Sequence, residues 1–332
     1  MTGFWHDKRI LITGGIGFIG SNLARRLVEE SAQVTLVDSL IPSYGGNMRN
    51  IADIADRVRV NVCDVRDRFA IEYLVQHQDY LFNLAGQTSH LDSMMDPQTD
   101  LDINASAQLS ILEACRRVNP GIRLVFASTR QIYGRPDYLP VDERHPIRPV
   151  DVNGINKLAG EGYHILYSGV YGIRSTVLRL TNTYGQAMRV KDARQTFLGI
   201  WIRQLLEGKP IRVFGDGTQV RDFNHVDDCV DAMLLAASDD TAIGKVYNLG
   251  SEQIVSLKDL AAMLTSQIAK GSYELVAFPP ERKAIDIGDY YSDFSLIRRE
   301  LGWEPKVDLV AGLSRTVAYF ASNQEHYWEA AR

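Results

Sequence analysis

Gly14, Gly15, Gly17 and Gly20 form a turn that could bind phosphate, and Asp38 follows roughly twenty residues beyond them. The turn Gly14-Gly15-Ile16-Gly17-Phe18-Ile19-Gly20 must be tight and must let a pyrophosphate approach bare backbone. It must also bring a helix close to its strand, which leaves the phosphates on a positive helix N-terminus. A carboxylate at Asp38 would accept both hydroxyls of an adenosine ribose and repel a 2′-phosphate, so the pair of features points to NAD rather than NADP. Farther along, Arg221 has a planar fork that could pair with Asp222 or Asp227 within the chain.

Stepping outward, Arg9 to Thr13 reads as a buried strand, Ser21 to Glu30 as a helix with Leu23, Leu27 and Val28 on one face, and Gln33 to Val37 as a second strand ending at Asp38. Strands at Arg57 to Asn61, Tyr80 to Ala85, Ile122 to Ala127 and Ser175 to Leu180 alternate with long helices at Thr99 to Val118 and Val152 to Val170. That alternation predicts an α/β fold, a Rossmann doubly wound parallel sheet over 1–180. Beyond Thr181 the pattern loosens: a helix near Thr196 to Glu207, a strand Ile211 to Phe214, a helix from Val226, and paired strands near Val246 and Leu275. Residues 181–332 therefore suit a smaller, mainly substrate-binding lobe, with some segments returning to the first domain.

Composition sets the bounds. A chain of 332 residues with 45% hydrophobic content can bury a sizeable core, enough for about two domains by the usual length prior. A net charge of −5 without basic runs argues against a nucleic-acid or anionic-membrane partner. Cys63, Cys115 and Cys229 lie far apart in apolar settings without metal-ligand spacing, which fits reduced core residues and a cytoplasmic location. No apolar run approaches the length of a bilayer span, and Met1 to Asp7 lacks a signal-peptide core.

Almost the whole chain resembles the extended short-chain dehydrogenase/reductase family of nucleotide-sugar epimerases and dehydratases. The matching stretches are Thr13 to Gly20, Asn83 to Gly86, Ser128-Thr129 with Ile132-Tyr133-Gly134, Lys157 to Glu161, Leu178 to Gly185, Val213 to Gly217, Arg221 to Phe223, and Leu301 to Pro305. The resemblance implies NAD held by Gly14, Gly17, Phe18, Ile19, Gly20, Asp38, Asp64, Val65, Leu84, Ala85, Gly86 and Lys157. For Asp64, a plain surface turn is the other reading. The resemblance also implies hydride removal from C4 of a nucleotide sugar while a base takes the hydroxyl proton, giving a 4-keto intermediate. Gln87, Thr129, Asn182, Arg221 and Arg282 match substrate-binding positions, the last with a one-residue departure in spacing. The two long helices resemble the pair through which members form homodimers, with Leu109, Leu112, Leu158 and Ile165 as apolar positions; they could equally cover the sheet.

One position departs from the family. Asn153, four residues before Lys157, stands where members carry the catalytic tyrosine, and no other lysine in the chain has Tyr four residues earlier. A phenol beside an ammonium can trade protons near neutral pH, whereas a carboxamide does not titrate. Positioned acid–base catalysis is worth about 10² to 10⁴ in rate, roughly 3 to 5 kcal/mol, so the loss would cripple turnover without having to abolish it. His90 on the loop after the fourth strand, Thr129 relaying to a water, or a carboxylate on the substrate could act instead; His90 also reads as an ordinary loop histidine, and His225 as structural. Arg130 and Gln131 follow Thr129 where 4,6-dehydratases carry an acid pair, so dehydration is disfavoured and C4 epimerisation survives best. Arg130 could face a sugar carboxylate or stand in solvent. Two function classes follow: an NAD-dependent nucleotide-sugar epimerase whose catalytic set includes Thr129, Asn153 and Lys157, or a non-catalytic protein that binds NAD and a nucleotide sugar. The base and sugar are not specified by any residue.

Overall fold

The computed structural model describes residues 3–41, 44–192, 197–268 and 271–328. Seven parallel strands form the central sheet in the order β10-β6-β5-β4-β1-β2-β3. They are β1 (Arg9–Thr13), β2 (Gln33–Asp38), β3 (Val58–Val62), β4 (Tyr80–Asn83), β5 (Arg123–Thr129), β6 (Arg174–Leu180) and β10 (Val246–Asn248). The chain leaves β1 toward β2 on one side, and β4 lies on the other, so the order reverses beside β1. Crevices at such a reversal, past the carboxyl ends of the strands, are where this kind of sheet holds ligands. β10 brings the second half of the chain back into the first sheet. Strands β7 (Asn182–Tyr184), β9 (Val220–His225) and β11 (Ile254–Ser256) make a separate three-stranded sheet, and β8 (Ile211–Phe214) pairs with β12 (Tyr273–Val276). The strands expected near Val246 and Leu275 thus pair with β6 and β8, not with each other. Short apolar runs carry no information about partners, which explains the miss.

Helix α1 (Phe18–Glu29) starts directly from the glycine turn and buries Leu23, Leu27 and Val28. A Cβ on Gly20 would collide with the Gly14 carbonyl, and Gly14 itself holds φ +66, so the turn closes only with glycine at both places. α2 spans Arg68–Leu74 and α3 spans His90–Met95. The single helix expected from Thr99 to Val118 is instead α4 (Pro97–Leu101), a π-helical turn over Asp102–Ser106, and α5 (Ala107–Val118). Asp96 caps α4 through Thr99 N, with Pro97 at the first helical position. The wide turn contains Asn104, whose amide donates to Gln87 O at 2.9 Å; periodicity cannot show a bulge of this kind.

α6 (Val152–Tyr171) is capped by Asp151, which accepts from Gly154 N at 2.6 Å, and it ends at Gly172 with φ +70. Gly160 lets it approach Asn104 O, where a Cβ would come within 2.8 Å. Its inner face carries Lys157, Glu161 and His164 against β5 and β6. Buried Glu161 forms an ion pair with Arg179 on β6 and accepts from Ser128 Oγ at 2.8 Å, which fixes the helix to both strands. On α5 Leu112 is fully buried, as its sheet-covering reading requires, and Leu109 is half-buried; on α6 Leu158 and Ile165 are half-buried, while Ile155, Leu166 and Val170 are exposed.

α7 (Phe197–Leu206) follows; Thr196, its expected start, lies outside the described residues. α8 (Val226–Ser238) is capped by His225, whose buried ring packs edge-on to Tyr184, as a structural histidine would. Among the described residues no helix is long and apolar enough to cross a membrane, and all three cysteines are free.

Candidate functional site

Two adjoining cavities open past the carboxyl ends of the strands. The first, of about 250 Å³, is lined by Gly14, Gly17, Phe18, Ile19, Gly20, Asp38, Asp64, Val65, Leu84, Ala85, Gly86, Gln87, Thr129, Asn153 and Lys157, among others. The second, of about 570 Å³, is lined by Arg130, Gln131, Asn182, Trp201, Arg212, Phe214, Arg221, Phe278, Arg282 and Asp286, among others. His90, Arg130, Gln131 and Asn182 belong to both walls and mark the junction.

The first cavity suits a dinucleotide. Bare glycine backbone faces it, and a Cβ on Gly86 would come within 3.1 Å of Lys157 Nζ, so bulk at that position would crowd the lysine. Asp38 accepts from Ile16 N at 3.1 Å and Leu40 N at 2.9 Å, which fixes its carboxylate at the end of β2 beside the glycine turn. Burial raises the Asp38 pKa despite those bonds. Asp64 pairs with Arg66 at 2.7 Å in a local turn and also lines the same cavity.

Lys157 is buried at 6% exposure and donates to Ala127 O at 3.0 Å. Burial pulls its pKa down to about 8, with Asp100 opposing. Thr129 ends β5 and accepts from Gln131 N at 3.2 Å, a turn that presents Arg130 and Gln131 inward. Arg130 is not a solvent arginine. Its guanidinium stacks 5.0 Å from the Tyr290 ring, donates to Asn182 Oδ1 at 3.0 Å, and leaves Nη1 buried without a partner. Burial lowers its pKa.

Arg221 pairs with neither Asp222 nor Asp227. Asp222 accepts from Thr181 Oγ1 at 2.5 Å and Ser292 N at 3.1 Å, and Asp227 pairs with Arg315 at 2.6 Å. Arg221 instead lies 3.7 Å from Asp286 on the cavity wall, its pKa lowered to about 10 by burial and by neighbouring Arg130. Arg282 lies over the Phe214 ring at 5.7 Å in the same wall. Two aromatic rings, Phe214 and Phe278, and four arginines, Arg130, Arg212, Arg221 and Arg282, thus line a cavity where a nucleoside diphosphate could lie.

Asn153 is anchored. Its Nδ2 lies 2.8 Å from Gln87 O and 3.0 Å from Asp100 Oδ2, and its backbone N donates to Ser93 Oγ at 3.2 Å. The amide cannot be turned over, since its oxygen would then face a carbonyl and a carboxylate. Asp100, fully buried, also accepts from Asn156 Nδ2 at 2.8 Å. Near it, Asp151 reaches His90 Nδ1 at 2.9 Å and accepts from Gln131 Nε2 at 2.8 Å. Burial pushes the Asp151 carboxyl up, but His90 and these donors outweigh it and hold it below the ordinary range. Asp100, Asp151, Gln131 and Tyr290 drew no site assignment from the sequence. Only Asp151 carried a signal, its place ahead of Gly154 as an N-cap.

The sequence model of the NAD dependent epimerase/dehydratase family matches residues 10–250. The chain is 33% identical over 318 residues to a putative UDP-glucose 4-epimerase from Methanocaldococcus jannaschii, covering 95% of this chain and 99% of that protein. Among solved structures it is similar to a UDP-glucose 4-epimerase from Thermotoga maritima with UDP-glucose (TM-score 0.85, 30% identity, 95% and 99% covered). It is also similar to a UDP-glucuronic acid 4-epimerase from Bacillus cereus in complex with UDP-glucuronic acid and NAD (TM-score 0.83, 27% identity, 95% and 99% covered).

Proposed function

Because the chain belongs to the NAD dependent epimerase/dehydratase family, we propose that it is an NAD-dependent nucleotide-sugar epimerase acting at C4 through a 4-keto sugar. The observation that carries this reading is the junction of the two cavities, where Thr129 and Lys157 on one side meet Arg130 and Asn182 on the other. The chemistry that NAD supplies when bound is acceptance of a hydride from a secondary carbinol. The glycine turn and Asp38 hold its phosphates and adenosine ribose, and Lys157 holds the nicotinamide ribose. Thr129 hydrogen-bonds the sugar oxygen. Arg221, Arg282 and Asn182 hold the diphosphate, and Gln87 borders the sugar.

Epimerisation is favoured over dehydration because Arg130 and Gln131 occupy the positions after Thr129, and neither is an acid at neutral pH. The 570 Å³ of the second cavity gives the sugar ring room to turn. Asn153 is the observation on the other side: an amide committed to Gln87 and Asp100 has no free donor for a sugar, which favours a protein that binds NAD and a nucleotide sugar without turning them over. Incubation with UDP-, dTDP-, GDP- and CDP-sugars, following absorbance near 340 nm and epimer formation, separates the two. Epimer formation supports the enzyme; tight binding with no absorbance change and no epimer supports the binder. The same reading includes a homodimer joined through α5 and α6, supported by the exposed Ile155, Leu166 and Val170, and a cytoplasmic location suited to free cysteines.

A further inference from the structure

The absence of a tyrosine four residues before Lys157 leaves the sugar hydroxyl without its proton acceptor, and the cavity junction holds one histidine, His90. Its surroundings are those of an oriented imidazole. Nδ1 is buried and lies 2.9 Å from the Asp151 carboxylate, an ion-pair contact without hydrogen-bond geometry and its sole polar neighbour among the described residues, whereas the side chain as a whole is 37% exposed. The ring lines the wall shared by the two cavities, and with Nδ1 buried against Asp151 it is Nε2 that is left to meet a ligand there.

Asp151 is itself fixed. It is fully buried, accepts from Gly154 N at 2.6 Å at the start of α6 and from Gln131 Nε2 at 2.8 Å, and is held in its charged form by them and by His90. The start of α3, which carries His90, is tied to Asn153 on both sides, through Gln87 O just before it at 2.8 Å and Ser93 Oγ within it at 3.2 Å. His90 thus sits over the first turn of α6, next to the residue that replaces the phenol. A buried carboxylate on one ring nitrogen and an accessible second nitrogen is the arrangement that lets an imidazole accept a proton and stabilises the imidazolium formed.

We propose that His90, oriented by Asp151, is the catalytic acid–base group at the sugar 4-oxygen. This deepens the epimerase reading and rests on it. In the forward step the O4–H bond breaks and its proton goes to His90 Nε2. The C4–O bond becomes a carbonyl as the hydrogen on C4 leaves with its electron pair to NAD, the oxidant. On the return, after the sugar has presented its other face, the electron pair and hydrogen come back to C4 and the imidazolium returns the proton to O4. No net oxidant or proton is consumed.

The test uses the full chain loaded with NAD, with UDP-glucose, UDP-N-acetylglucosamine and UDP-glucuronic acid as probes. In histidine-detected NMR, assigned by loss of one signal in His90→Gln, the His90 ring signal is expected to move on adding one of the UDP-sugars and not on adding UDP. In single turnover, His90→Gln is expected to lower NAD reduction by about 10² or more while UDP affinity stays within twofold. Added imidazole is expected to restore part of the rate in His90→Gly. An unchanged rate in His90→Gln, with the unmodified protein active, overturns the His90 assignment alone. So does a fall that imidazole does not relieve, together with a ring signal indifferent to the sugar, since that pattern belongs to a structural residue. An unmodified protein that binds the probes and neither reduces NAD nor forms an epimer overturns the epimerase reading, and the assignment with it.

Discussion

Asn153 and Asn156 grip one carboxylate between them: their amide nitrogens lie 3.0 and 2.8 Å from the two oxygens of Asp100, which has no exposure to solvent. A buried carboxylate that loses a donor is left with part of its charge unsolvated. Asn153→Ala should therefore cost about 2 to 3 kcal/mol in urea unfolding, by the usual worth of a hydrogen bond to a charged group. Asn153→Asp should cost more, and with a pH signature. The new carboxyl would face Asp100 and have a folded pKa above its unfolded value, so its penalty is absent in acid and grows as pH rises through the carboxylate range. An Asn153→Ala protein with an unchanged urea midpoint would show that the anchor contributes nothing.

The same contacts decide what Asn153→Tyr does. A phenol has one O–H and cannot replace donors to both Gln87 O and Asp100, and its ring needs space in a wall already filled by Gln87 and the start of α3. The expected outcome is a loss of about 1 to 3 kcal/mol of stability and no gain in single-turnover NAD reduction. A hundredfold gain would instead mean that the loop yields and the phenol reaches the sugar.

Much of this was legible in the chain itself, and the reasons are local. The glycine turn, β2 ending at Asp38, and α6 from Val152 could be read because turn chemistry, alternation and helical period act over a few residues. The placement of Lys157 and Thr129 at one cavity followed from motif spacing. What was illegible depends on contacts between distant segments. Nothing around Asp100 indicates that Asn153 and Asn156 will close on it, and nothing around Arg130 indicates that Tyr290 will lie beneath it. The sheet partners of Val246 and Leu275, and the inward turn of Leu112, are tertiary choices of the same kind.

Lys157 carries a cost that a pH titration can expose. Burial holds its pKa at about 8 against an ordinary 10.5, so the unfolded chain binds the proton more tightly. The penalty is present in full below about pH 8 and fades as pH rises through 10.5; at 1.36 kcal/mol per pH unit it amounts to about 3 kcal/mol. Lys157→Met should therefore be more stable than the unmodified protein at pH 7, by up to about that amount less the hydrogen bond to Ala127. The advantage should vanish by about pH 10.5. Equal thermal midpoints at pH 7 would rule this out.

In the proposed function Asp38 sets the cofactor choice. Asp38→Ala removes the ribose acceptor and also leaves Ile16 N and Leu40 N without their present partner. The expected loss in NAD affinity is about 1 to 3 kcal/mol by calorimetry, with discrimination against NADP largely gone. Equal affinity of the unmodified protein for the two cofactors would contradict the role given to this carboxylate.

The final prediction concerns the outer face of α6. Ile155, Leu166 and Val170 are 54, 53 and 63% exposed, and they fall on one side of the helix at spacings of eleven and four residues. Gly162, also exposed, lies between them and would allow a second helix to come close. Three large apolar side chains in a row on a surface are costly to leave in water, and a twofold pairing with the same stripe of another copy would bury them. Leu166→Glu places a charge at the centre of that stripe, where in a dimer it would lie near its own copy. Its own neighbourhood in one subunit is open, so folding should be unaffected. Light scattering at micromolar concentration should give a dimer mass for the unmodified protein and a monomer mass for Leu166→Glu, with matching circular dichroism. A monomer in both cases would remove the dimer, and a dimer in both would move the interface elsewhere.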